Sequence, residues 1–362
     1  MRKNHFILVL MILIIGMLFG KGRECIFLSI SPSAVNAGMG DNGVADVWHQ
    51  NAFSAWSNPA LTSFHEGVSF SYLDDKHYEK IKPVMKFSAA YMNFAIKGIG
   101  INIPLPNSDG FNGTSLDYGK QFVYNENYQI VAIADNFEFA KNYSFALNTD
   151  LVKSIAPDYL KLGIGLTYSD ITSKLGIDDS SKVETDCINF GLAAKIDLSS
   201  FIESQNVRME ASLGYCKNNI NHNTYERLDE NYGESYIMDS DNFAIGIRYH
   251  QTLDHFVTNE HLIKILKNTW SGQLSSGIST LEDYHAVSFG TEVGFLDTVF
   301  LRFGNYHDAK GQISGLTYGY GLKLNALDYG FIEYNYAKYP GGEIQNTQMK
   351  WDISAGINLP LF

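Results

Sequence analysis

What this 362-residue chain lacks narrows it before any motif does. Beyond its N-terminus no run approaches the ~20 apolar residues that a membrane-crossing helix needs, so helical spans are excluded there. Positive charge is short: 27 Lys and Arg against 39 Asp and Glu leave a formal charge of −12, and no basic run offsets it. Nucleic acid is thereby excluded as a partner, because its phosphates would be repelled. There is no Ser-His-Asp arrangement, no carboxylate pair with a plausible cleft and no phosphate loop, so no enzymatic activity is expected. The ten His are scattered, and His250, His255 and His261 lack metal-ligand spacing and read as solvated loop residues. Neither a metal nor a cofactor is expected. What the chain has instead is 32 Gly, 22 Tyr and 23 Phe against 8 Pro and 4 Trp, with a mean hydropathy of −0.12.

Arg2 and Lys3 followed by the apolar run Phe6 to Phe19 read as a secretory signal, taken as residues 1–24. An uncleaved anchor is the competing reading, since no small-x-small site follows and Lys21 to Glu24 is charged. Gly22-Arg23-Glu24 before Cys25 lacks the small-residue context of a lipidation site.

From about Gly67 to the end, apolar or aromatic residues alternate with small or polar ones for about ten residues at a time, which is the period of a strand. Ile99, Ile101 and Ile103 oppose Gly98, Gly100 and Asn102. Phe243, Ile245, Ile247 and Tyr249 oppose Ala244, Gly246, Arg248 and His250. Leu316, Tyr318, Tyr320 and Leu322 oppose Thr317, Gly319, Gly321 and Lys323. One face is uniformly apolar while the other mixes glycines with charges, the pattern of a transmembrane barrel with lipid outside and a polar lumen; a soluble barrel reverses it. The expectation is an all-β, antiparallel up-and-down barrel over 67–362 in a bacterial outer membrane. About fourteen strands are expected, near 67–73, 84–94, 97–105, 127–138, 141–151, 158–170, 183–197, 206–217, 239–251, 283–295, 298–305, 314–324, 328–337 and 348–359. The count clashes with loop sidedness across 219–282, where His261 to Leu266 looks helical and Trp270 to Ile278 is a candidate further strand. Residues 25–66 do not alternate and carry buried-type Trp48, Phe53 and Trp56, which suits a hatch inside the barrel. Phe362, a terminal aromatic of the kind outer-membrane assembly reads, is out of phase with the last strand.

Gly38-Met39-Gly40-Asp41-Asn42-Gly43 matches G-x-G-x-x-G formally, but the strand, helix and acidic partner of a dinucleotide site are missing around it. Ser31 to Gly40, Gly43-Val44-Ala45 and Ala55-Trp56-Ser57-Asn58-Pro59-Ala60-Leu61 instead resemble the N-terminal signature of PorV/PorQ-type proteins within the wider FadL-like superfamily. The ending is similar to the same family through Gly290 to Phe295, Leu301 to Asn305, Gly315 to Lys323 and Glu333 to Ala337. Trp56-Ser57 stands where the family has an aromatic directly before Asn-Pro-Ala, and Glu333 near an expected Asp. The resemblance covers the hatch and the last five strands. It implies a 14-stranded outer-membrane barrel with an N-terminal hatch, a hatch motif of Gly38, Gly40, Gly43, Asn58, Pro59 and Ala60, and one of two roles. The first is protein secretion, as a type IX secretion component or cargo shuttle with cargo proteins as partners. The second is uptake of hydrophobic small molecules such as fatty acids. A lateral gap or strand kink beside the hatch, with an apolar pocket, favours uptake; a sealed wall with a large extracellular docking surface favours secretion. The hatch lacks long apolar runs to grip an acyl chain, which sets secretion first.

Two further patterns come from the residues alone. Glu292 and Arg302 flank the turn at Leu296-Asp297 symmetrically and so face each other on the lumen side, with Lys323 and Glu333 continuing that face and Arg248 on a neighbouring strand. This reads as a structural charge ladder, or as one that pins the hatch or lines a solute path. Cys187 and Cys216 fall on the lumen phase of adjacent strands, symmetric about the 199–204 connection, and are candidates for a cross-strand disulfide.

Overall fold

The computed structural model describes residues 23–24, 28, 31–49, 51–77, 85–124, 130–174, 182–199, 202, 206–226, 234–237, 239–252, 269–281, 284–308, 313–326, 329–340 and 348–358. The signal expected at the N-terminus lies, up to residue 22, outside them, as do the helix-like stretch 261–266 and Phe362.

Fifteen strands form one sheet that closes on itself: β1 (Gly67–His77), β2 (Met85–Ile96), β3 (Ile99–Pro104), β4 (Thr114–Tyr124), β5 (Ile130–Asn148), β6 (Leu160–Lys174), β7 (Lys182–Asp197), β8 (Val207–Asn218), β9 (Ser240–Gln251), β10 (Trp270–Leu281), β11 (Tyr284–Phe295), β12 (Val299–Asp308), β13 (Ile313–Asn325), β14 (Gly330–Tyr339) and β15 (Gln348–Ile357). Each pairs antiparallel with its neighbours, and β15 returns to β1, so that no edge is left to be satisfied in lipid. Strands β3 and β4 lie end to end in a single wall position between β2 and β5, giving fourteen positions.

The alternation sets which face is which. Leu301, Phe303, Tyr318, Tyr320 and Leu322 point out, while Glu292, Arg302 and Thr317 point in and are buried. The outer wall is therefore apolar and the interior polar, as a lipid-facing barrel requires. A small separate sheet joins Arg23–Glu24, Glu234–Ile237 and Thr224–Glu226.

Three strand expectations are corrected. The two strands expected at 127–138 and 141–151 are, over 130–148, the single strand β5; Lys141 and Asn142 look like turn residues, but Lys141 faces Asp170 across the ladder and Asn142 faces inward. Residues 114–124, absent from the expected strands, form β4. Trp270–Leu281 is a full strand, which puts the 219–239 connection at the end opposite the tight turns 97–98, 296–298 and 326–329 and removes the sidedness clash.

Candidate functional site

Residues 31–49 and 51–64 lie in the lumen as a plug. Their irregular course follows from capping groups and not from a hydrophobic period. Ser33 caps the short helix α1 (Ala34–Gly38), its hydroxyl accepting from Asn36 N; Asn58 caps the 3-10 turn Pro59–Ser63 by accepting from Ala60 N, with Pro59 at the position where a missing N–H costs nothing. The second short helix, α2, spans Ser54–Ser57.

The lumen glycines of the strands are where the plug sits. A Cβ on Gly290 would collide with the Met39 carbonyl, one on Gly304 would lie 2.6 Å from the Met39 carbonyl carbon, and one on Gly165 would lie 2.5 Å from that of Pro59. Within the plug, Gly40 has φ +74° and its Cβ would sit 2.6 Å from the Phe289 carbonyl oxygen, so only glycine fits both the backbone and the space. Gly38 packs on Arg302 and Gly319, and Gly43 leaves room for the Asn36 and Ser57 side chains, which bond to each other at 3.0 Å. Asn58, fully buried, donates through Nδ2 to Val44 O and to Leu192 O of β7, both at 2.9 Å, and so ties the plug to the wall. Pro59 and Ala60 follow it against Gly165 and Gly191.

A buried ion network holds the other side. Arg302, with 0% exposure, donates from Nε to Glu292 (2.7 Å) and from Nη1 to Asn335 (2.6 Å), and lies 3.5 Å from Glu333. Asn335 donates on to Asp352, whose second oxygen accepts the plug's Ala34 N–H at 2.6 Å. Glu292 also takes His49 of the plug (2.9 Å), and His49 contacts Asp46 at 2.6 Å through its other nitrogen. Lys350 donates to Ser31 O at 2.8 Å. Arg248 reaches Glu292 only at 3.9 Å. Lys323, although opposite Glu333 in register, turns instead to Asp297, 3.5 Å away at the tight-turn end, so it is not part of the network.

His49 belongs to the plug and not to a spanning strand. Burial pushes its pKa down, but the charges and hydrogen bonds of Asp46 and Glu292 outweigh that and raise it to about 9. Because the folded value lies above the usual 6.5, the ion pairs add stability that is complete below about pH 6.5 and lost as pH rises through 9. Thermal midpoints of the purified protein in detergent should therefore fall between pH 6.5 and 9 relative to those of His49→Gln. Parallel curves for the two proteins would remove this role.

The wall position shared by β3 and β4 is interrupted. The chain leaves the wall at Leu105 and returns at Gly113, which has φ +98°. On the β2 side the ladder continues: Leu105 N donates to Ala90 O (2.9 Å) and Ala90 N to Gly113 O (3.0 Å), while Gly113 N closes on Leu105 O (2.8 Å). On the β5 side, pairing stops at Thr114–Ala140 and resumes at Asn102–Ser144, so Lys141, Asn142 and Tyr143 have no ladder partner there. Pro104, with no N–H, ends β3 at this point. The excursion folds onto the outer face. Asp109 pairs with Lys86 (2.6 Å) and accepts from Ser88 and Ser115, and Phe111 stacks on Phe139 with ring centroids 4.8 Å apart. Behind the break lies an apolar cluster of Phe53 from the plug with Leu73, Phe87, Tyr91, Leu116, Ile171 and Val183 from the wall.

The cysteine pair does not form. The ladder places Cys216 opposite Gly191 and Cys187 opposite Ser169, and both thiols are unbonded and buried. The β7–β8 register is centred two residues beyond the symmetric point, so the position facing Cys187 lies four residues past Cys216, a displacement of ~13 Å along the strands where a disulfide tolerates ~7 Å between Cα atoms. Sequence reasoning also missed Asp46, His49, Asn335, Asp352 and Tyr91. The Asp46–His49 spacing, three apart in a segment without alternation, is the one signal that pointed to any of them.

A plug seated on lumen glycines inside a closed antiparallel barrel, beside one interrupted wall strand, defines the molecule as a plugged transmembrane β-barrel. Solved structures of similar architecture include the Ralstonia pickettii toluene transporter TbuX (12% identity, 91% of this chain and 98% of that one, TM-score 0.46) and the Pseudomonas putida toluene transporter TodX (11%, 90% and 98%, 0.48). A Pseudomonas aeruginosa FadL homologue is a third (9%, 91% and 98%, 0.42). No family model and no curated protein matches the sequence. The expected fourteen-position antiparallel barrel stands; nothing found bears on the PorV/PorQ assignment.

Proposed function

We propose that the protein is an outer-membrane channel for hydrophobic small molecules, which pass between the lumen and the bilayer through the break between β3/β4 and β5. The observation that carries this is the three-residue loss of ladder pairing at Lys141–Tyr143, with an apolar cluster directly behind it and the plug residue Phe53 in that cluster. A protein-secretion role needs no such gap, and this sets uptake above it. By the rule that short turns of such barrels face the periplasm, the turns at 97–98, 296–298 and 326–329 do so here.

Register supplies the test. Between Asn102 and Thr114 the chain advances twelve residues while β5 advances four, and between Pro104 and Thr114 it advances ten while β2 advances two. Both flanks thus carry the same surplus of eight. Deleting Leu105–Asn112 and changing Pro104→Thr restores a continuous strand in register on both sides. The deletion variant should fold as a heat-modifiable barrel and take up a hydrophobic fluorescent probe into cells at least tenfold more slowly than wild type. Unchanged uptake by a folded variant would sink the proposal.

A further inference from the structure

The break is a place where backbone groups in a lipid-facing wall lose their strand partners, and such groups are costly unless something else satisfies them. One side chain stands there. Tyr91, on β2 and phased into the lumen, is only 3% exposed. Its hydroxyl donates to the Ala140 carbonyl of β5 (3.4 Å) and shares a hydrogen with Thr114 Oγ1 of β4 at 3.1 Å. Ala140 is the last β5 residue to pair before the gap. The phenol thus spans the break, reaching from β2 across the missing strand segment to β5.

The surroundings are shaped to admit it. Gly113 has no side chain where a Cβ would come within 3.0 Å of the Tyr91 hydroxyl and collide with Ala140 O. On its other side the Tyr91 ring meets Phe53 of the plug edge-on, centroids 6.2 Å apart at 78°. Phe53 is itself fixed by a 2.6 Å hydrogen bond from its N–H to the Asn51 side chain, which accepts another from Ser71 of β1 at 3.2 Å.

We infer that Tyr91 is the bolt of the wall break: its hydroxyl ties the rim of the gap, Ala140 of β5 and Thr114 of β4, together in the closed state, and its ring transmits the position of the plug, through Phe53, to the wall. This inference rests on the uptake reading for its purpose but not for its test. Tyr91→Phe keeps the ring and removes the seal; Phe53→Ala keeps the seal and removes its support. Amide hydrogen exchange of the full chain in detergent micelles reads the backbone directly. Among residues 141–143 the Asn142 amide is the one that shares the side of Ala140 and faces the break, while Lys141 and Tyr143 turn theirs to β6. Both variants should raise exchange at Asn142 at least tenfold while leaving β12 and β13 amides at wild-type rates. Wild-type exchange at Asn142 in Tyr91→Phe would overturn the seal, and wild-type exchange in Phe53→Ala would overturn the coupling to the plug. Failure of the uptake reading shows elsewhere, as wild-type probe uptake by the Leu105–Asn112 deletion, and leaves this exchange result unaffected.

Discussion

Replacing Arg302 with Met is expected to lower the stability of the folded barrel by ~3–5 kcal/mol, the usual cost of leaving buried carboxylates without their cation. Arg302 is wholly buried and neutralises Glu292 while contacting Glu333, and its third partner, Asn335, passes the network on to Asp352 and the plug backbone at Ala34. Methionine fills much of the same volume, so the loss is electrostatic and not a cavity effect. Urea midpoints in detergent, followed by heat-modifiable migration, measure it. Adding Glu292→Gln should recover part of the loss, because one of the stranded carboxylates is then gone. If Arg302→Met alone lies within about 1 kcal/mol of wild type, the network is ornamental and the plug is held by packing.

Gly290→Val is expected to do the opposite: spare the wall and unseat the plug. Valine favours strands, and Gly290 keeps its ladder place between Ser275 and Gly304. The new side chain, however, points into Met39, whose carbonyl and Cβ (2.7 Å from the added Cβ) it would overlap. Plug backbone cannot retreat there, because Gly40 on the next residue is pressed against the Phe289 and Asn305 carbonyls. A fourteen-position barrel without its plug encloses a water-filled lumen. Planar-bilayer conductance should therefore rise at least tenfold over wild type, with the plug becoming cleavable by chymotrypsin-like proteases at Trp48, Phe53 or Trp56 in the folded barrel. Conductance equal to wild type in the folded variant would show that the glycine rows are not the seat.

Much of this was legible in advance. Period-two alternation marks strands such as β9, β11 and β13 because each residue in a barrel wall has one of two fates, lipid or lumen, and the side chain must suit it. The plug is legible by the failure of that alternation. The Glu292–Arg302 pair is legible because a tight turn fixes register over the few residues beside it. Register across a longer connection is not: the β7–β8 connection is displaced from its apparent centre, and the two cysteines miss each other. The wall break was hidden for a related reason. Pro104, Pro106, Asn107, Asp109 and Gly110 mark a chain that stops being a strand, and the same residues serve a hairpin end or an excursion that rejoins the same wall position.

The sequence by itself therefore determined the barrel, its apolar outside and the presence of an internal segment, because those depend on local periodicity set by lipid on one side and polar surroundings on the other. Only the tertiary structure decided that β3 and β4 are one broken strand, that lumen glycines form a seat for Met39 and Pro59, and that His49, Asp352 and Tyr91 meet partners far away in the chain. Those contacts depend on strand register around a closed ring, where each pairing is fixed by all the others and by nothing within a few residues of it.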